Sequence, residues 1–446
     1  MTTHREPSAP RPPGLLYGLE DIPPLGLTLL MALQHALAMS STLVLPALIV
    51  QEAGGSPALA MAFVQGSMLA TGLGTILQAL PRGPIGSGYL CPSLAGPAFV
   101  PASLVAAQTG GLSLVCGMTV LAGFVQLLFS TIVRRLRDLL PPEVTGVIVL
   151  MVGLSLVRLG VTNLIGVFHP DDVSELHESA VGLLTLSVMV GVTVAGRALR
   201  LYGVLLGIIV GYAAAYALGG LGPAEIRPVL DAPLLALPRP SIFTGPIFDA
   251  ALLVPFLVAA LSSTAKTVGD LTTCQRINDA HWDGPEMHAI QRGTRADALS
   301  VISAGLVGGL GQSTSSSNVG LAVATGITSR RIALWAGGLF AALGLVPMLA
   351  MTVVVMPKPV RGATLVFVAC FMIVAGIQLI VTRPVNPRRT FVVGGAIIAG
   401  LTVDVLPFIF QGLPATIRML ASSDMAAATV VAIGLNLLLR ERSPTA

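Results

Sequence analysis

Two residues of opposite charge, Lys266 and Asp270, stand four positions apart in a stretch that is otherwise apolar or hydroxyl-bearing. On a helix that spacing places them on one face and within reach of each other. An ionisable side chain inside a membrane-length segment is costly, which marks it as a functional-site candidate. Its bland alternatives are a Lys snorkelling to the interface and a buried salt bridge with no further role. A second group is the run Ser313 to Ser317, followed at once by Asn318 and only a short apolar segment. About ten apolar residues cannot cross a hydrocarbon core of ~30 Å as a helix, so the span must be interrupted there. Ser, Thr and Asn can satisfy the backbone groups that such a break leaves unpaired and can cap the helix that restarts beyond it. Polar side chains also enter the first apolar segment, at Gln34 and His35. Together these groups offer hydrogen-bond recognition and a fixed positive charge, the chemistry of a binding site.

Catalytic patterns are missing. His177-Glu178 lacks the second His of HExxH, and neither a GxSxG elbow nor a Walker motif occurs. GGLGQS at Gly308 is a weak near-match to a dinucleotide turn, but it follows a membrane segment and not a strand. No enzyme is expected, and neither a cofactor nor a metal. Cys91, Cys116, Cys274 and Cys370 lie far apart in apolar surroundings and are read as small buried residues.

The elements that position these groups must be membrane helices. Of 446 residues, 54% are hydrophobic and 10% are charged, against about a quarter charged in soluble domains. Apolar segments fall at 25–45, 58–80, 88–107, 111–133, 142–162, 179–196, 201–221, 246–270, 294–311, 314–327, 332–356, 362–381, 390–411 and 423–439, which makes fourteen. Residues 1–24 read as a Pro-rich cytoplasmic tail, and 440–446 as a second one. The basic residues test the register. Of 25 Lys and Arg, 18 fall inside, Lys266 lies in a span, and Arg158, Arg227, Arg239, Lys358, Arg361 and Arg418 fall outside. That bias predicts cytoplasmic termini. The scattered arginines form no aromatic-interleaved basic patch, so nucleic acid is not expected as a partner.

Two interruptions occupy corresponding places in the halves. Gly83 to Pro101 (GPIGSGYLCPSLAGPAFVP) carries Gly and Pro through the third span, as the Ser/Thr run interrupts the tenth. Seven spans is an odd number, so two such copies lie with opposite orientation, the inverted-repeat plan of secondary transporters, with the site at the broken spans.

The residues at this point resemble the nucleobase/ascorbate transporter family, also called nucleobase:cation symporter-2. Ser317, Asn318, Gly320, Thr325, Ser329 and Arg330 hold the places of its carboxyl-side signature, and QHALAM (Gln34 to Met39) matches its Gln-His pair. Pro141 to Leu156 and Arg295 to Gly309 agree further, so that the resemblance covers nearly the whole chain. It implies an all-α polytopic fold of two inverted seven-segment repeats, in which segments 3 and 10 each combine a short strand with a half helix. The implied core domain comprises 25–135 and 246–356, and the gate domain 142–221 and 362–439. It also implies a multi-pass protein of a bacterial inner (plasma) membrane, a homodimer, and alternating access by an elevator-type motion of core against gate. Substrate-binding positions carried over are Lys266, Ser317, Asn318, Ser93, Leu94, His35 and Gln34. Asp270, Thr325 and Arg330 are carried over as coupling or site-stabilising residues.

Two departures bear on the substrate. The family's eighth span carries Glu-x-x-Gly-Asp, whereas KTVGD stands here, so Lys266 replaces an acceptor by a donor. The family's Glu or Gln before Asn is Ser317, shorter and neutral. Ring N–H groups of a neutral base lose both carboxylate acceptors. The expected cargo is therefore a purine such as xanthine or urate, carried as an anion. A transporter or channel for a non-nucleobase organic or inorganic anion is the alternative. H+ is expected as coupling ion ahead of Na+, because a fixed ammonium can take the electrostatic role of a cation. Asp297, close to Arg292 and Arg295, is expected in a cytoplasmic ion pair, and Asp404 in a local one.

Overall fold

Backbone polar groups in a bilayer must be satisfied within the protein, so apolar runs bounded by Gly and Pro become helices. The computed structural model describes residues 12, 14–132, 141–166, 176–196, 202–238, 245, 247–384, 386–410, 412 and 424–439. Arg134, Arg135, Arg137, Arg197, Arg200, Arg239, Arg418 and the tails 1–11 and 440–446 lie outside the described residues. The first half begins with α1 (Leu25–Ser40) and α2 (Val44–Glu52), then α3 (Pro57–Ala79), strand β1 (Ser93–Ala95) and α4 (Val100–Thr131). It continues with α5 (Pro142–Ile165), α6 (Leu176–Val194), α7 (Gly203–Ala217) and the short α8 (Pro223–Leu230). The second half runs α9 (Leu253–Asn278), α10 (Met287–Val307), β2 (Gln312–Thr314), α11 (Ser316–Thr325), α12 (Arg330–Leu343), α13 (Pro347–Val354), α14 (Lys358–Ile380), α15 (Pro387–Val405) and α16 (Asp424–Leu438).

Among the described residues, seven helices are long and apolar enough to cross a membrane, with Leu25–Glu52 counted as one. The pair α12 and α13 passes the same test as one broken span, bent by 78°. Several expected boundaries move. The first segment continues past residue 45 to Glu52, and the eighth runs past 270 to Asn278, which sets Asp270 in mid-helix. Segments 3 and 4 abut within α4 at Gly111, where φ 69 and ψ −168 break the helix. Only glycine takes that backbone conformation without strain. The described residues before α1 are joined to the second half: Tyr17 bridges Ile327 in parallel, and Thr328 N–H donates to the Tyr17 carbonyl at 2.8 Å. Cys91, Cys116 and Cys274 are buried, but Cys370 is exposed on α14.

Helix packing falls into two groups. One joins α1, α3, α4, α9, α10 and α12; the other joins α5, α6, α7, α14, α15 and α16. Lipid tails are as apolar as leucine, so close backbone approach through small residues does much of the holding. In the first group Gly72 and Gly337 face each other, and a Cβ at Gly72 would lie 2.5 Å from the Gly337 carbonyl. In the second group Gly146 and Gly376 do the same between α5 and α14, at 2.7 Å. Between the groups α9 packs against α5 and α16.

The site is positioned by the two strands, which pair antiparallel in the register Ser93↔Thr314, Leu94↔Ser313, Ala95↔Gln312. Gly96 N–H to the Gly311 carbonyl and Ser315 N–H to the Pro92 carbonyl, both 2.8 Å, extend the ladder at its two ends. Thus two interrupted crossings satisfy each other's backbone where no helix is available to do it.

Candidate functional site

Helix α9 brings Lys266 and Asp270 up against the end of β2. The Lys266 ammonium donates to Asp270 Oδ2 at 3.0 Å and to the Thr314 carbonyl, so it points inward and not to an interface. Asp270 is fully engaged: Thr314 Oγ1 donates to Oδ2 and Ser316 Oγ to Oδ1, each at 2.6 Å. With 14% and 10% of their side chains exposed, the two ions form a nearly buried pair in which both carboxylate oxygens accept hydrogen bonds. Such a pair persists because hydroxyl donors complete it. What the site still offers beside Lys266 is mainly donors.

Helix α11 starts at the same point. Ser315 caps it, its hydroxyl accepting from Asn318 N–H at 3.4 Å and from Asn318 Nδ2 at 2.8 Å. His35 Nδ1 meets Asn318 Oδ1 at 2.7 Å, which ties α1 to α11 in the interior. Ser316 and Ser317 are exposed, as is Gly320 one turn on. Cβ atoms at Gly320 and at Gly269 on α9 would meet nothing within 4 Å, so neither position is packed against a neighbouring element. The first N–H groups of a helix carry partial positive charge. On α1, Gln34 donates to the Tyr202 hydroxyl at 3.4 Å, while its Oε1 is buried without a partner.

The expected site residues therefore separate. Lys266 and Gln34 are partly exposed and Ser317 is exposed, while His35 and Asn318, 1% and 0% exposed, are buried and join α1 to α11. Asp270 stabilises Lys266. Ser93 is fully buried, its Oγ unpartnered and close to Gly74 on α3, and Leu94 is buried beside it. Thr325 donates to the Leu321 carbonyl of its own helix at 2.9 Å. Arg330 pairs with Glu20 and donates to the Gly88 carbonyl, and Ser329 Oγ donates to the Asp21 carbonyl at 2.7 Å. This end of the signature fastens the segment before α1 and takes no part at Lys266.

Two expectations about carboxylates fail. Asp297 makes no cytoplasmic ion pair: it is 1% exposed and accepts from Thr267 at 2.9 Å, Ser263 at 3.2 Å and Gln126 at 3.5 Å. Arg292 and Arg295 turn away to carbonyls of the loop before β1, because α10 rotates Asp297 to its buried face. Asp404 pairs not locally but with Arg158 of α5, at 3.6 Å, where both line a cavity of about 290 Å³. Sequence reasoning missed Thr314, Ser316 and Asp297. Strand alternation was a usable signal for Thr314 in β2, since it sends neighbours to opposite faces, whereas Ser316 already belongs to α11. No local signal existed for Asp297. Among the described residues no group of three or more His, Cys, Asp or Glu is placed to hold a metal ion.

The chain is similar to known permeases in sequence and to known transporters in fold. The Permease family model Xan_ur_permease matches residues 26–409. "Xanthine permease XanQ" of Escherichia coli (strain K12) is 31% identical over 440 residues, covering 95% of this chain and 94% of its own. "Uric acid permease PucJ" of Bacillus subtilis (strain 168) is 28% identical over 414 residues, covering 91% of each. Among solved structures, the murine Slc26a9 anion transporter in the inward-facing state superposes with TM-score 0.61 at 11% identity, covering 95% of this chain and 69% of that one. At that identity the likeness concerns the fold alone. The chain is an integral multi-pass membrane protein and belongs to the nucleobase/ascorbate transporter family of permeases.

Proposed function

We propose that the protein is a secondary carrier of an oxopurine of the xanthine or urate type, taken in anionic form. The observation that carries this reading is the Lys266 ammonium, held at the start of α11 beside the exposed Ser316 and Ser317, with both oxygens of its carboxylate partner already accepting hydrogen bonds. Donors from Lys266, Ser317 and the helix terminus suit ring oxygens and a deprotonated nitrogen, and the unpartnered Gln34 Oε1 suits a ring N–H. The names of the xanthine and uric acid permeases support the class of cargo.

The mechanism proposed with it is alternating access. The group holding α1, α3, α4 and α9 to α13 serves as core and the group holding α5 to α7 and α14 to α16 as gate, in fourteen segments with inverted halves. Antiparallel pairing of β1 with β2, one from each half, and the two packing groups support that plan. Core then slides against gate as an elevator within a homodimer of a bacterial inner membrane, both termini cytoplasmic. A thermal-shift screen of the purified protein against xanthine, urate, uracil, adenine, ascorbate and small carboxylates tests the cargo, because a ligand that binds the folded state raises its apparent stability. Xanthine or urate should give the largest shift, and Lys266→Ala should abolish it. A largest shift with neutral uracil or adenine, kept in Lys266→Ala, would overturn the anion reading. Saturable flux in liposomes marks a carrier, whereas large unitary currents would mark an anion channel.

A further inference from the structure

The environment of the Lys266 ammonium is an oxygen cage at a break in the chain. Its partners are the Asp270 carboxylate at 3.0 Å and the carbonyl of Thr314, the last residue of β2 before α11 restarts. The hydroxyls of Thr314 and Ser316 close on the same carboxylate at 2.6 Å each. A carboxylate with an unwound main-chain carbonyl and hydroxyls is the ligand chemistry that holds a monovalent coupling cation in broken-helix transporters. Here the position is filled by an amine that cannot leave, because it belongs to the chain.

We propose that Lys266 is a tethered substitute for a coupling cation: its ammonium fills the seat formed by Asp270 and Thr314, so that cargo moves without Na+ at this site. The inference rests on the carrier reading above but not on which cargo is carried. Several features agree with it. Both oxygens of Asp270 already accept hydrogen bonds, and the ammonium itself stands where a mobile ion would have to sit. The pair is electrically neutral, so the cage stays assembled through the cycle with no ion to be released and recaptured. Removing the amine should reverse the arrangement. Truncation at Lys266 leaves the carboxylate, the Thr314 carbonyl and two hydroxyls around the volume that the ammonium vacates, which a sodium ion can enter.

The cargo-free test is the melting temperature of the detergent-purified full chain in NaCl against choline chloride at equal ionic strength and pH. Wild-type protein should melt at the same temperature in both. Lys266→Ala should melt higher in NaCl by about 2 °C or more once sodium is well above its dissociation constant. The double variant Lys266→Ala with Asp270→Asn should lose that difference. Proteoliposome uptake of radiolabelled xanthine supplies the transport arm, in which wild-type rates should change less than about twofold when choline replaces Na+ on both sides. A sodium-dependent rise in wild-type melting temperature, collapse of wild-type uptake without Na+, or a Lys266→Ala variant that folds and ignores Na+ would each overturn the proposal. If Lys266→Ala does not fold, the wild-type melting comparison decides. Absence of any xanthine uptake would count against the cargo reading while leaving the melting result to judge the seat.

Discussion

The two interrupted crossings use one backbone device and differ in what hangs on it. At the first, β1 leads through Gly96 into a 3-10 turn, Pro97–Phe99, with no side-chain cap. All of Ser93 to Phe99 is buried, and the Ser93 hydroxyl has no partner. At the second, β2 leads through the Ser315 cap into α11, and the hydroxyls of Thr314 and Ser316 bind the carboxylate of an ion pair. The first crossing contributes shape and the second contributes charge. A broken span needs satisfied backbone groups wherever it occurs, and the proposed function assigns cargo to the second crossing, which alone has exposed hydroxyls beside a formal charge.

That division can be broken most severely at Asp270. Asp270→Asn leaves the Lys266 ammonium nearly buried without its counter-charge, and losing one partner of such a pair costs about 3–5 kcal/mol. We expect a large fall in melting temperature and in folded yield, and an unchanged melting temperature would show that Lys266 finds water instead. Next in size is Gly311→Val, on the shape side. A Cβ there would lie 2.5 Å from Phe99 Cγ, so the strands must part, at about 1–3 kcal/mol. Transport should be lost with only a moderate drop in stability. Normal flux would show that the strand pair tolerates separation.

Asn318→Ala removes the 2.7 Å contact with His35 and leaves the buried imidazole unsatisfied, a loss of about 1–3 kcal/mol. His35→Leu should lose a similar amount. The double variant should lose less than the sum of the two, as members of one hydrogen bond do. Additive losses in melting experiments would mean that the two residues act separately. The smallest effect belongs to Ser93→Ala, which deletes an unpartnered buried hydroxyl and should change stability and cargo binding by less than about 0.5 kcal/mol. A tenfold loss of cargo affinity there would place Ser93 at the cargo after all and end the division between the crossings.

Composition and spacing made the interruptions and the Lys266–Asp270 pair legible before any coordinates, because hydrophobic length and i,i+4 geometry are local properties. The two short strands entered through resemblance, and their pairing came only with the structure, since nothing local in SLA or QST demands a partner in the other half. What stayed hidden depended on rotation and distance. Asp297 stands beside two arginines in sequence, but the turn of α10 sends it inward to Thr267 and Ser263. Asp404 meets Arg158 only because α15 and α5 pack together. The bend of 78° between α12 and α13 was readable in principle from Pro347, which cannot continue a helix begun before it. A continuous apolar stretch masked it.

The central claim, that Lys266 selects an anionic cargo, is tested most directly by equilibrium binding of radiolabelled urate and uracil to wild-type protein, Lys266→Arg and Lys266→Ala. Losing a charge-assisted hydrogen bond costs about 1.5–3 kcal/mol. Urate affinity should therefore fall by roughly ten- to a hundredfold in Lys266→Ala and less in Lys266→Arg, while uracil should bind weakly throughout. Urate binding that survives Lys266→Ala unchanged, or uracil binding tighter than urate in the wild type, would contradict the account.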